Sequence, residues 1–152
     1  MAHFVSLFLY IGSLIVWLRS LVKGGRGLDP SVAFGLASLG VLVHVYSLIA
    51  FTSSYGQLPL TGIGPSLSSL ALVIGLALLG TIVFGEGRRV GIVVIPVIIL
   101  LETVAIILGV RPSFEVLDFQ GAWFSLHVMM AFVGFGGMTL SFAASSLYVI
   151  QL

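Results

Sequence analysis

The chain has 152 residues, of which 59% are hydrophobic and 7% are charged, and its formal net charge is +1. A soluble domain carries about 25% charged residues, so this composition excludes a soluble globule and indicates a polytopic membrane protein. It also excludes a disordered chain, and it offers no basic tract for nucleic acid. The chain has no cysteine, which excludes disulfides, thiolate metal sites and covalent haem attachment within it.

Five apolar segments are long enough to cross a bilayer, which takes about 20 residues. They cover approximately residues 3–22, 31–52, 64–84, 90–109 and 122–150. No linker or soluble insertion separates them. The sequence therefore predicts a single all-α transmembrane domain over residues 1–152, with about five helices.

The basic residues predict how these segments are oriented. Five of the six border the first and third connections, and Arg111 is the exception. Because positive charge stays on the cytoplasmic side, the N-terminus is expected outside. We expect an integral protein of a bacterial or archaeal plasma membrane, or of the organellar equivalent. The five basic residues are Arg19, Lys23, Arg26, Arg88 and Arg89.

Three ionisable side chains fall inside predicted spans, where such groups are costly and often functional. His44, Glu102 and His127 lie about 12, 10 and 8 Å below the outer surface at about 1.5 Å per residue. All three are therefore expected in the outer half of the membrane. His3, near the outer end of the first span, is a further candidate that we expect to face solvent.

Two spans carry stripes of small or polar residues at helical spacing. Small residues allow two helices to approach closely, or leave room for a flat ligand between them, and the sequence alone does not separate these uses. In the second span the stripe is Ala33, Ala37, Gly40, His44 and Ser47, while Leu39, Leu42 and Val43 face elsewhere. In the fifth it is His127, Ala131, Gly134, Met138, Ser141 and Ser145.

Two histidines at matched depth favour haem contact, because neutral imidazole is a good axial ligand for haem iron. His44 and His127 are thus the predicted ligands of a haem b, with Glu102 as a second-shell acceptor, a direct contact or a proton relay. Two alternatives stay open: a hydrogen bond from each histidine to a serine, a threonine or a backbone carbonyl of a neighbouring helix, with Glu102 as a protonated carboxyl bonded to helix backbone, and proton transfer. Zinc fits less well, since its sites need three or four close ligands.

The fifth span and the segment after it resemble the cytochrome c assembly membrane protein family, the CcsA, ResC and HemX group with its YpjD-like relatives. The resemblance lies in the W-x-x-x-H pattern from Trp123 to His127 and in the L-Y-x-x-Q ending at Gln151. The second span, with Val43-His-Val-Tyr-Ser-Leu48, is similar to an earlier part of the same family.

The resemblance implies a haem-handling protein of cytochrome c biogenesis, with haem contact at His127 and at His44. The family's Trp-rich motif is absent, since the chain has only Trp17 and Trp123. Family members also continue past the L-Y-x-x-Q helix. We therefore expect the N-terminal half of such a protein, completed by a C-terminal half or another assembly protein, and acting as an assembly factor rather than as a complete ligase or other enzyme.

Three other functions stay open at this stage. A b-type electron-transfer subunit would hold the same haem permanently. A small proton or cation transporter subunit would use Glu102 and the histidines as a relay. A structural partner would use its small-residue stripes to bind other membrane helices.

Overall fold

The computed structural model describes residues 1–22, 30–84, 90–112 and 121–150. Within these ranges the protein is all-α, with 89% of residues helical and no strand. The helices are α1 (Ala2–Val22), α2 (Pro30–Tyr55), α3 (Ile63–Phe84), α4 (Gly91–Leu108) and α5 (Ala122–Ile150).

All five helices are long and apolar enough to span a membrane, which confirms the predicted fold class. The predicted span ends lie within three residues of the helix ends. The basic residues used to orient the chain fall mostly outside the described residues, which exclude Lys23, Arg26, Arg88 and Arg89. The outside location of the N-terminus therefore stays a prediction.

Helices α1 to α4 form the packed part of the protein, and α5 lies at its side. The most extensive packing is between α1 and α2 and between α3 and α4, and α1 also packs on α4. Helix α5 rests mainly on α3, through residues such as Gly136 and Ala143. Only 17% of the most apolar 18-residue stretch of α5 is buried, compared with 28–39% of the corresponding stretch in each of the other helices.

The small-residue stripe of α2 faces the inside of this bundle. Ala33 and Ala37 are fully buried, and the Ser13 hydroxyl of α1 donates a 2.7 Å hydrogen bond to the Ala33 carbonyl. A side chain at Gly40 would place its Cβ 3.0 Å from the Tyr10 ring. The small residues of this stripe are thus used for close packing between helices, and they leave no room for a flat ligand between α1 and α2.

Candidate functional site

Three titratable side chains meet inside the bundle: His3 of α1, His44 of α2 and Glu102 of α4. One potential ligand atom from each lies within 4.8 Å of the other two. Because α1 runs opposite to α2 and α4, the first turn of α1 lies beside the later turns of its two neighbours. This antiparallel packing brings together residues that are far apart in sequence.

Glu102 is the centre of this His3–His44–Glu102 cluster and is fully buried. Its Oε1 lies 2.8 Å from His3 Nδ1, and its Oε2 accepts a 2.9 Å hydrogen bond from the Ser68 hydroxyl of α3. His44 Nε2 lies 3.3 Å from the same Oε2. Both carboxylate oxygens therefore have polar partners, as a buried carboxylate requires.

His44 is also fully buried, and both of its ring nitrogens have partners. Nε2 lies 2.9 Å from the Ser68 hydroxyl, and Nδ1 lies 3.3 Å from the Tyr10 hydroxyl. His44 and Glu102, for which the sequence predicts depths of about 12 and 10 Å, are in contact with each other. Ser68 and Tyr10 were not predicted as members of the site.

His3 is better enclosed than the sequence predicted. Its side chain is 18% exposed, and besides Glu102 it has Ser47 and Ser68 at 3.3 and 3.4 Å from Nδ1. The expectation that it faces solvent was wrong because α2, α3 and α4 pack around the first turn of α1. The signal that could have located it is the polar and aromatic face of α1, which consists of His3, Ser6, Tyr10, Ser13 and Trp17.

Tyr10 closes the cluster on the side of the membrane interior. Its ring packs against Gly40, and its hydroxyl would lie 3.5 Å from a Cβ at Gly75 of α3. In the described part of the chain, no hydrogen bond continues from this hydroxyl beyond His44. From His3 to Tyr10 the polar network covers about 10 Å, against a hydrocarbon thickness of about 30 Å. This extent favours a local binding site over a transmembrane relay.

His127 lies in a different environment. It is exposed on α5, whereas His44 is fully buried and contacts α1, α3 and α4, so the two predicted haem ligands have different surroundings. The rest of its stripe is also largely exposed: Gly134, Met138, Ser141 and Ser145 all face away from the bundle. The side of α5 that contacts the bundle carries Gly136, Ala143 and Leu147 instead.

A cleft lies close to His127, between the connection from α2 to α3 and the start of α5. Its volume is about 220 Å³, and its lining includes Gln57, Thr61, Phe124 and Ser125. Pockets that enclose a small-molecule ligand commonly measure about 300–1,000 Å³. This cleft is smaller than such pockets. A macrocycle beside His127 would therefore lie on the open face of α5 and not inside the cleft.

The chain has no significant match among protein-family models, curated protein sequences or solved structures. Family membership therefore stays a prediction that depends on the W-x-x-x-H and L-Y-x-x-Q patterns.

Proposed function

We propose that this protein is a haem-handling membrane protein of cytochrome c biogenesis, with His127 as an axial ligand of haem b. The observation that carries the proposal is the exposure of His127 on the least covered helix, within the W-x-x-x-H pattern that resembles the cytochrome c assembly family. An imidazole exposed at this depth is available to a ligand or a partner from outside the bundle.

The open face of α5 has space for a flat ligand. A Cβ built at Gly134 or Gly137 meets no atom within 4 Å, so the backbone is accessible two to three turns beyond His127. Haem b bound there would supply an iron with two axial positions, and the chain supplies one imidazole. Ser141 and Ser145 are exposed on the same side, but at about 21 and 27 Å along the helix axis from His127 they lie beyond the reach of that haem.

His44 does not fit the second axial position in this arrangement. Its side chain is fully buried inside the bundle, so a haem on the open face of α5 does not reach it. The proposal therefore assigns the second ligand to a partner: another cytochrome c assembly protein, or the C-terminal half of a longer one. Such a partner would also cover the polar stripe of α5, which is unusual on a face that contacts only lipid.

Visible spectroscopy of the full chain, purified in detergent and titrated with haem, tests the proposal. We expect a shifted Soret band and reduced α and β bands in the wild type, and loss of both features in His127→Ala. His3→Ala is the matched control, because it removes a histidine near the same end of the protein without touching α5. Wild-type spectra from His127→Ala would refute the assignment.

The same preparation distinguishes haem delivery from permanent electron transfer. A haem-handling protein releases its haem to an apo-acceptor such as apomyoglobin, and the Soret band then moves to the acceptor. A b-type electron carrier would retain its haem and be reduced reversibly by quinol. Retention with quinol reduction would replace the delivery role by the electron-transfer role.

A further inference from the structure

We propose that the His3–His44–Glu102 cluster is a binding site for one divalent first-row transition metal ion, of which zinc is the probe. The site uses His3 Nδ1, His44 Nε2 and one oxygen of Glu102 as ligands. It is independent of the haem proposal, because His127 has no part in it.

The ligand set is one that such ions prefer. Two imidazoles and one carboxylate bind zinc at several catalytic sites and bind non-haem iron in oxygenases. Around tetrahedral zinc, with bonds of about 2.0–2.1 Å, neighbouring ligand atoms lie about 3.3 Å apart. His3 Nδ1 lies 2.8 Å from Oε1 of Glu102 and His44 Nε2 lies 3.3 Å from Oε2, and one ligand atom from each residue lies within 4.8 Å of the others, so side-chain rotations must close a gap of no more than about 1.5 Å.

The surrounding groups are placed as a second shell. The Tyr10 hydroxyl lies 3.3 Å from His44 Nδ1, the nitrogen that would not bind the metal, and its oxygen can accept a hydrogen bond from the N–H there. Metal-binding histidines almost always have such a partner, which fixes the tautomer and the ring orientation. Ser68 Oγ, 2.9 Å from Glu102 Oε2, can in the same way orient the carboxylate.

The position of the cluster also suits a bound cation. The partly exposed His3 ring gives an ion a route from the outer end of the bundle, while Tyr10 separates the site from the membrane interior. The Glu102 carboxylate offsets part of the positive charge of the bound ion. A fourth ligand can be Ser47, 3.3 Å from His3 Nδ1, or a hydroxide, which zinc-bound water yields near neutral pH.

Metal content and cobalt spectroscopy of the untagged full chain test this site. After chelator treatment and titration in detergent, we expect one zinc ion per chain, and with Co²⁺ the visible d–d bands of a four-coordinate site. His3→Ala and Glu102→Gln should each weaken zinc affinity beyond the 10- to 100-fold that loss of a second-shell partner typically causes. Tyr10→Phe should weaken it within that range.

His127→Ala is the matched control and should keep one ion per chain, which separates this site from any binding by the exposed histidine. Helix content and thermal unfolding are measured for every variant, and His3→Ala, at the least buried ligand, stays informative if Glu102→Gln does not fold. The proposal is overturned if the wild type binds no stoichiometric zinc, if His3→Ala binds it as tightly as the wild type, or if His127→Ala loses the ion.

Discussion

The protein has histidines in two contrasting places: inside the His3–His44–Glu102 cluster and on the open face of α5. In the cluster, groups from four helices give His3 Nδ1, both nitrogens of His44 and both oxygens of Glu102 partners at 2.8–3.4 Å. On α5, His127 is exposed on a helix that contacts the bundle by its other side. The comparison teaches that depth in the membrane does not decide the surroundings of a histidine: the enclosed ones have partners inside the bundle, and the exposed one leaves its ring accessible from outside.

The largest expected effect on stability comes from Glu102→Ala. The change leaves His3 and Ser68 without their buried partner, and breaking a buried pair in this way costs about 3 kcal/mol or more. Thermal or SDS-driven unfolding in detergent measures it, with Glu102→Gln as the control that keeps the side chain's shape. A loss below 0.5 kcal/mol, the range of ordinary surface substitutions, would mean that the cluster does not hold the helices together.

A smaller loss in the free energy of unfolding is expected from Gly40→Val, which adds atoms where α2 touches the Tyr10 ring. A Cβ there already lies 3.0 Å from Tyr10, so the larger side chain must displace the ring at a cost of about 1–3 kcal/mol. Gly35→Val is the control on the same helix, since a Cβ at Gly35 meets nothing within 4 Å. Equal unfolding midpoints for the two variants would contradict the close packing of α1 on α2.

Tyr10→Phe tests one hydrogen bond of the cluster without changing its packing. Removing the hydroxyl leaves His44 Nδ1 unpaired, and hydrogen bonds between membrane helices are worth roughly 0.6–1.7 kcal/mol. The same unfolding assay applies, and the double variant Tyr10→Phe with Glu102→Ala shows whether the two residues act together. Additive losses would indicate that Tyr10 is energetically separate from the carboxylate.

The smallest effect on stability is expected from His127→Ala. The side chain is exposed and no described residue hydrogen-bonds to it, so the free energy of unfolding should change by less than about 0.5 kcal/mol. Its haem spectrum should nevertheless be lost. If His127→Ala is destabilised, α5 uses His127 for packing. The open face of α5 and the His3–His44–Glu102 cluster would then no longer differ in their contribution to stability.

Most of the fold could be predicted from the sequence, because the length of an apolar run fixes the number and extent of membrane helices. The burial of Ala33 and Ala37 also followed from the spacing of small residues on α2. The similar stripe on α5 is exposed, and spacing does not distinguish these outcomes. A stripe of small residues shows that a face can pack closely, but the neighbour that packs on it is set by the arrangement of the whole bundle.

The site could be predicted in part. Depth along the span gave His44 and Glu102 similar positions, and they are in contact because α2 and α4 run in the same direction across the membrane. The depth of a residue along its span does not give the direction in which its side chain points from the helix axis. It therefore could not show that His127 lies apart from His44 and Glu102. His3 was placed at a span end, where the sequence does not show whether the residue faces water or a neighbouring helix.

The sequence separation within the cluster has a consequence for biogenesis. Glu102 follows His3 by 99 residues, so both histidines are synthesised and enter the membrane well before their carboxylate partner. Until α4 is inserted, α1 and α2 carry imidazoles that only Tyr10 and the serines can satisfy. The polar network of the cluster is therefore complete only after α4 has docked beside α1 and α3, which makes α4 the helix that closes this site during biogenesis.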